Sequence, residues 1–150
     1  MSIEHTFLSH SEAETETFAA KLAARLPRGK VLTLYGDLGA GKTVFARGFA
    51  RGLGITEPIS SPTYTIIQEY PLPDYGWFYH LDLYRINNSE SALMFGVDEF
   101  LSDPESVVLM EWPERIQDIL PANTIKINIR HLTDTEREIV VTGEIDGFED

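Results

Sequence analysis

The densest chemistry in this chain lies in eight consecutive residues. Gly36-Asp37-Leu38-Gly39-Ala40-Gly41-Lys42-Thr43 satisfies the pattern G-x-x-x-x-G-K-[ST] at every fixed position. Such a stretch is a phosphate cradle. Gly36, Gly39 and Gly41 let backbone N–H groups converge on one anion without side-chain clashes. Lys42 adds a positive charge that reaches β- and γ-phosphates, and the Thr43 hydroxyl suits a Mg²⁺ carried by a nucleotide. A helix starting near Lys42 points its positive dipole end at the same place. The bland alternative is an ordinary glycine-rich turn. The flanks argue against it: Lys30-Val31-Leu32-Thr33-Leu34-Tyr35 reads as a buried strand entering the loop, and Val44 to Leu53 as a helix leaving it.

A cradle alone does not hydrolyse a nucleotide. An acid must hold the Mg²⁺ shell and something must orient water. In an open parallel sheet, ligands sit off the carboxyl ends of the strands. Two acids stand at such ends: Asp82 closes His80-Leu81-Asp82, and Glu111 closes the apolar run Ser106-Val107-Val108-Leu109-Met110. Each acid could instead cap the following helix. Thr63, within Ser61-Pro62-Thr63-Tyr64, falls where such proteins often place a loop that senses the γ-phosphate, although a plain Ser-Pro turn fits as well. Arg85 suits a phosphate partner or a salt bridge equally. Trp112, next to Glu111, is either core packing or a wall beside the nucleotide. His80 reads as structural.

The elements that must carry these residues follow from the pattern. A short strand at His5-Thr6-Phe7-Leu8 precedes Ser9 and Ser11, two candidate N-caps with Glu12 and Glu14 three residues on. Phe18, Leu22 and Leu26 give a helical face through about Arg25. Gly52 and Gly54 stop the helix after the phosphate loop near Leu53. Residues 65–70 and 77–84 form a hairpin about the turn composition of 71–76. Asn87-Asn88-Ser89-Glu90 opens a helix whose apolar side is Ala92, Leu93, Met94 and Phe95. A second short helix falls near Val97–Leu101, and Pro113 opens another through Ile119. Ile125, Ile127 and Ile129 alternate with polar residues, and Ile139-Val140-Val141 follows, so these two read as antiparallel edge strands. The whole is one α/β domain, a P-loop NTPase-like three-layer fold with a mostly parallel central sheet, antiparallel edge strands and flanking helices. The last seven residues read as a frayed end.

Composition narrows the function. The chain has 150 residues, 43% apolar and 24% charged, and no cysteine, which excludes disulfides and thiolate metal sites. No apolar run is long enough to span a membrane, and residues 1–5 lack a signal pattern, so a cytoplasmic protein is expected. The formal net charge of −12, from 24 acids against 12 bases, opposes a surface that grips nucleic acid. It suits either a plain solvated surface or docking on a basic partner.

Four segments together resemble one family. Residues 36–43, Ser61-Pro62-Thr63-Tyr64-Thr65, His80-Leu81-Asp82-Leu83-Tyr84-Arg85 and Glu111-Trp112-Pro113-Glu114 are similar, in order and spacing, to the bacterial TsaE (YjeE) family. The resemblance covers roughly residues 5–130. It implies the small ATPase of tRNA threonylcarbamoyladenosine (t6A) synthesis, working with the TsaB–TsaD pair. In that family TsaD transfers the threonylcarbamoyl group, and the ATPase supports turnover of the complex. The resemblance implies ATP and Mg²⁺ as cofactors, with Lys42 on the phosphates, Thr43 and Glu111 on the metal, and Asp82 in the catalytic shell. Thr63 and Tyr64 would form a switch-like loop, Trp112 would sit by the site, and the base would lie near Ser11 and Glu12. Leu81 departs from the usual Phe, and residues 86–95 carry fewer acids than usual. The tRNA would be reached only indirectly, through protein contacts.

Two other readings use the same loop. A small-molecule kinase needs an acceptor pocket and a basic lid, and Arg85 and Arg115 are isolated. A nucleotide-dependent switch needs no turnover at all. A GTPase is disfavoured, because neither N-K-x-D nor D-x-x-G follows the loop.

Overall fold

Four parallel strands make the centre of the sheet. β2 (Lys30–Tyr35) lies between β5 (Val107–Glu111) and β6 (Ile125–His131), and β4 (Trp77–Asp82) lies beyond β5. Antiparallel strands flank this centre on both sides. β7 (Arg137–Gly143) and then β1 (Ile3–Ser9) follow β6, while β3 (Ile67–Pro71) closes the other edge, giving the order β1-β7-β6-β2-β5-β4-β3. This computed structural model describes residues 3–36, 40–59 and 67–145. Asp37, Leu38, Gly39 and the segment 60–66 with Thr63 and Tyr64 lie outside the described residues, as do 146–150.

Helices cover both faces. α1 (Glu12–Ala24) and α2 (Lys42–Gly52) pack on one, burying Phe18, Leu22, Phe45 and Phe49 against Leu32, Leu34, Leu109 and Ile127. On the other face, α3 (Ser89–Met94), α4 (Val97–Leu101) and a 3-10 helix (Pro113–Ile119) bury Ala92, Val97, Leu101 and Ile116 against Leu81, Val108 and Met110. Each fully buried Phe or Leu contributes on the order of 1.5–3 kcal/mol of transfer free energy. β5 is buried at every position because both faces are covered, which is why it reads as an unbroken apolar run.

Several expectations need correcting. β6 and β7 do pair antiparallel, but neither is an edge; β6 is parallel to β2 and β7 is sandwiched between β6 and β1. The alternating burial of β6 arises because the second layer of helices stops short of it, leaving one face bare rather than one side unpaired. The helix after the loop does stop where expected: α2 ends at Gly52, with Leu53 as its C-cap and Gly54 at φ +91°. Gly52 has a second role, for with Gly48 it lets α2 approach the Glu16 and Ala20 backbone of α1 so closely that a Cβ at either position would collide with a carbonyl oxygen. Leu93, Met94 and Phe95 do not form the buried side of α3; of that helix only Ala92 is buried. Beyond β7, Ile145 is still packed into the core, so the frayed end expected over the last seven residues does not include it, and 146–150 lie outside the described residues.

Candidate functional site

Ser11 fixes the start of α1. Its side chain accepts from the Glu14 N–H at 3.1 Å, a cap typically worth about 1 kcal/mol. The neighbouring α2 begins at Lys42 behind Gly41, whose φ of +105° is a left-handed conformation that favours glycine. Gly36, at the exit of β2, is required for a different reason: a Cβ there would stand 2.8 Å from the Ile129 carbonyl oxygen. Thus both described glycines at the fixed positions of the loop are structurally demanded.

The strand ends bring the acids together by register. Asp82 of β4 and Glu111 of β5 are direct parallel partners, and the Leu83 N–H donates to the Glu111 carbonyl at 3.0 Å. Side chains two apart on a strand share a face. Phe78, His80 and Asp82 therefore point to the α1–α2 side, as do Val107, Leu109 and Glu111. His80 Nε2 lies 2.7 Å from Glu111 Oε2, with both residues almost wholly buried. In the tautomer that carries its proton on Nε2, the ring donates to this carboxylate oxygen. His80 Nδ1 is buried with no hydrogen-bond partner among the described residues. His80 is more than core filling: it holds one oxygen of Glu111.

Asp82 and Glu111 line a cavity of about 570 Å³. Lys42, Thr43, Asp82, Glu111 and Trp112 contribute from the loop helix and strand ends, and Ser11, Glu12 and Thr15 from the start of α1. Gly41 also lines it. Gly36 and Ala40 border an adjoining cavity that shares Trp112 as its wall. Arg85 is exposed and does not line the main cavity.

Trp112 stands out in its backbone. Its φ of +58° is left-handed, and it is the single non-glycine residue with positive φ among those described. Such a conformation costs of order 1–3 kcal/mol and must be held by its surroundings. The Lys42 ammonium sits 3.9 Å from the centre of the indole, and the Tyr84 ring meets the same indole edge-on at 5.1 Å. The two readings of Trp112 merge: it is half-buried packing and a wall of the site.

The oxygen donors at this cavity suit a divalent cation. Glu111 gives one oxygen to His80, and Asp82 Oδ1 accepts from the Tyr84 N–H at 3.0 Å, so each carboxylate keeps an oxygen for a ligand. With the Thr43 hydroxyl on the same cavity, the set is all hard oxygen, as Mg²⁺ prefers. No cluster of three His, Cys, Asp or Glu that could hold a metal ion occurs among the described residues. Burial holds the Asp82 carboxyl above its ordinary range; the Tyr84 N–H opposes this, the Glu111 charge adds to it, and His80 and Lys42 oppose it again.

Sequence reasoning missed one wall. The hairpin between β6 and β7 places Asp134, Thr135 and Arg137 on the cavity. Arg137 Nε donates to the Ala40 carbonyl at 3.0 Å, tying the hairpin to the phosphate loop. Locally, residues 132–137 look like any polar turn. His80, by contrast, carried a usable signal: it stands two residues before Asp82 on the same strand.

The loop between β2 and α2, and the cavity at the carboxyl ends of the parallel strands, define a P-loop NTPase-like α/β protein. Residues 9–139 match the family model described as threonylcarbamoyl adenosine biosynthesis protein TsaE. The chain belongs to the TsaE family. It is similar to the tRNA threonylcarbamoyladenosine biosynthesis protein TsaE of Bacillus subtilis, at 46% identity over 86% of this chain and 79% of that protein. The protein of the same description from Rickettsia bellii is 38% identical over 90% of this chain and 92% of its own length. Among solved structures, the crystal structure of Bacillus subtilis YdiB superposes with a TM-score of 0.79 at 40% identity, covering 95% of this chain and 87% of that one.

Proposed function

We propose that this chain binds ATP with Mg²⁺ and hydrolyses it to support the t6A modification complex of tRNA, without itself transferring the threonylcarbamoyl group. The observation that carries the reading is the convergence of Lys42, Thr43, Asp82 and Glu111 on one cavity at the mouth of the phosphate loop. The names of its relatives supply the pathway. In this reading the backbone amides of Gly36, Asp37, Leu38, Gly39, Ala40 and Gly41 surround the phosphates and Lys42 pairs with the β and γ groups. Thr43 and Glu111 hold the metal. Asp82, across the strand pair, completes its shell or orients the attacking water. When bound there, Mg²⁺ would supply positive charge to offset that of the phosphates. Thr63 senses the γ-phosphate. Trp112 walls the phosphates, while Ser11 and Glu12 face the base.

The partner is the TsaB–TsaD pair, and the working place is the cytoplasm. The net charge of −12 favours protein contacts over a direct grip on tRNA. Among the described residues no helix is long and apolar enough to cross a membrane.

Calorimetry with Mg²⁺ and ATP, followed by a crystal structure with Mg²⁺ and a non-hydrolysable analogue, tests this. Saturable binding with Thr43 and a carboxylate at the metal is expected. No heat of binding, or a nucleotide bound away from residues 36–43, refutes the reading.

A further inference from the structure

The corner that ends α3 is built to display apolar side chains. Leu93, Met94 and Phe95 are 45%, 84% and 62% exposed. Large apolar groups standing next to one another in water mark a contact surface more often than isolated ones do. The corner is closed by backbone hydrogen bonds. The Phe95 N–H donates to the Ala92 carbonyl and the Gly96 N–H to the Leu93 carbonyl, and Gly96, at φ +78°, turns the chain directly into α4. The helix is also anchored. Ser89 Oγ donates to Asp118 Oδ1 of the 3-10 helix, and Arg115 Nη1 donates to the Tyr84 and Ile86 carbonyls just before α3. The three side chains are therefore held outward by a fixed frame.

Charge limits what can cover them. From Ile86 to Glu114 the chain has no Lys or Arg, and it carries Glu90, Asp98, Glu99, Asp103, Glu105, Glu111 and Glu114. Glu90, Asp98 and Glu99 are exposed, and the Glu99 carboxylate comes within 4.0 Å of where a Cβ on Gly96 would stand, beside Phe95. Among the described residues, these three exposed acids have no ion-pair partner. Nucleic acid would be repelled, and a second copy would bring an identical acidic rim against this one.

We propose that Leu93, Met94 and Phe95 are the anchor by which this chain docks in an apolar cleft, rimmed by Lys and Arg, on a partner protein. Met and Phe are residue types enriched at the centres of protein interfaces, and the acidic rim sets orientation and association rate. The choice of probe rests on the partner named under the proposed function.

The test is binding of the full chain to the TsaB–TsaD pair of the same organism, with Mg²⁺ and an ATP analogue present. Met94→Asp combined with Phe95→Asp is expected to weaken binding by about thirtyfold or more, at unchanged thermal midpoint and nucleotide affinity. Glu90→Gln with Glu99→Gln is expected to flatten the salt dependence of the wild-type affinity. If wild type binds the pair and the double Asp variant binds equally well, the docking assignment is overturned and the proposed function stands. If wild type does not bind the pair at all, the partner half of the proposed function falls and this assignment falls with it. Self-association of the wild type that the double Asp variant abolishes would give the corner to a second copy and overturn the proposal.

Discussion

Replacing His80 by Asn removes the one side-chain hydrogen bond made by the Glu111 carboxylate among the described residues. Glu111 is 4% exposed, so water does not restore that bond. A buried acceptor left unpaired costs roughly 1–3 kcal/mol, and more when charged. A loss of about 2 kcal/mol, near thirtyfold in the folding equilibrium, is expected. The comparison with His80→Gln makes the test specific. A Gln amide nitrogen reaches about as far from the backbone as Nε2, whereas an Asn amide reaches only as far as Nδ1. Gln should recover much of the lost stability, although both variants lose the ring that stacks on Phe78 at 6.2 Å. Urea unfolding without nucleotide or metal measures the stability, and Mn²⁺ titration in the presence of ATP, read by electron paramagnetic resonance, measures whether the carboxylate is still aimed. Asn should weaken the metal by at least tenfold and Gln by less. Equal behaviour of the Asn and Gln variants in both measurements would refute the claim that a hydrogen bond, rather than ring packing, positions Glu111.

Lys42→Ala should abolish measurable ATP binding by calorimetry, and Glu111→Ala should keep binding while lowering turnover in a phosphate-release assay at least about tenfold. Gly48→Ala would ordinarily favour a helix by roughly 1 kcal/mol. Here the new methyl collides with the Glu16 carbonyl oxygen, so a net loss of about 1–3 kcal/mol and a lowered thermal midpoint are expected in a melt. Because the raised Asp82 carboxyl ionises less readily in the folded chain than in the unfolded one, its stabilising contribution is full below the unfolded value and is lost as pH rises through the folded one. Asp82→Asn should therefore be more stable than wild type near neutral pH without metal, with the gain shrinking as pH falls toward the ordinary value of 3.8; urea midpoints across that range read it.

What could be read in advance was whatever is contiguous or strictly periodic. The phosphate loop is one uninterrupted segment, and Asp82 and Glu111 announce themselves as acids ending apolar strands. Ser11 was legible as a cap because capping is local. Long-range facts were not. That β6 sits inside the sheet depends on its pairing with β2, almost a hundred residues earlier, and its alternating pattern is equally natural for an edge strand. The contribution of Asp134, Thr135 and Arg137 depends on a hairpin folding back over the loop, which no local pattern encodes. The exposure of Met94 and Phe95 contradicts the simple rule that apolar residues on a short helix face inward. His80 lies between these cases. Its share in the site followed from period two, but a buried histidine next to a phenylalanine looks like packing until its partner is known.

The glycine contact between α1 and α2 constrains how the cleft can breathe. Backbone touches backbone at Gly48 and Gly52, leaving no side-chain cushion along which the helices could slide. The bank carrying Ser11 and Glu12 and the floor carrying Lys42 and Thr43 therefore travel as one rigid block. The β6–β7 hairpin is fastened to the same block, through the Arg137–Ala40 hydrogen bond and the pairing of Arg137 with Ser9 at the end of β1.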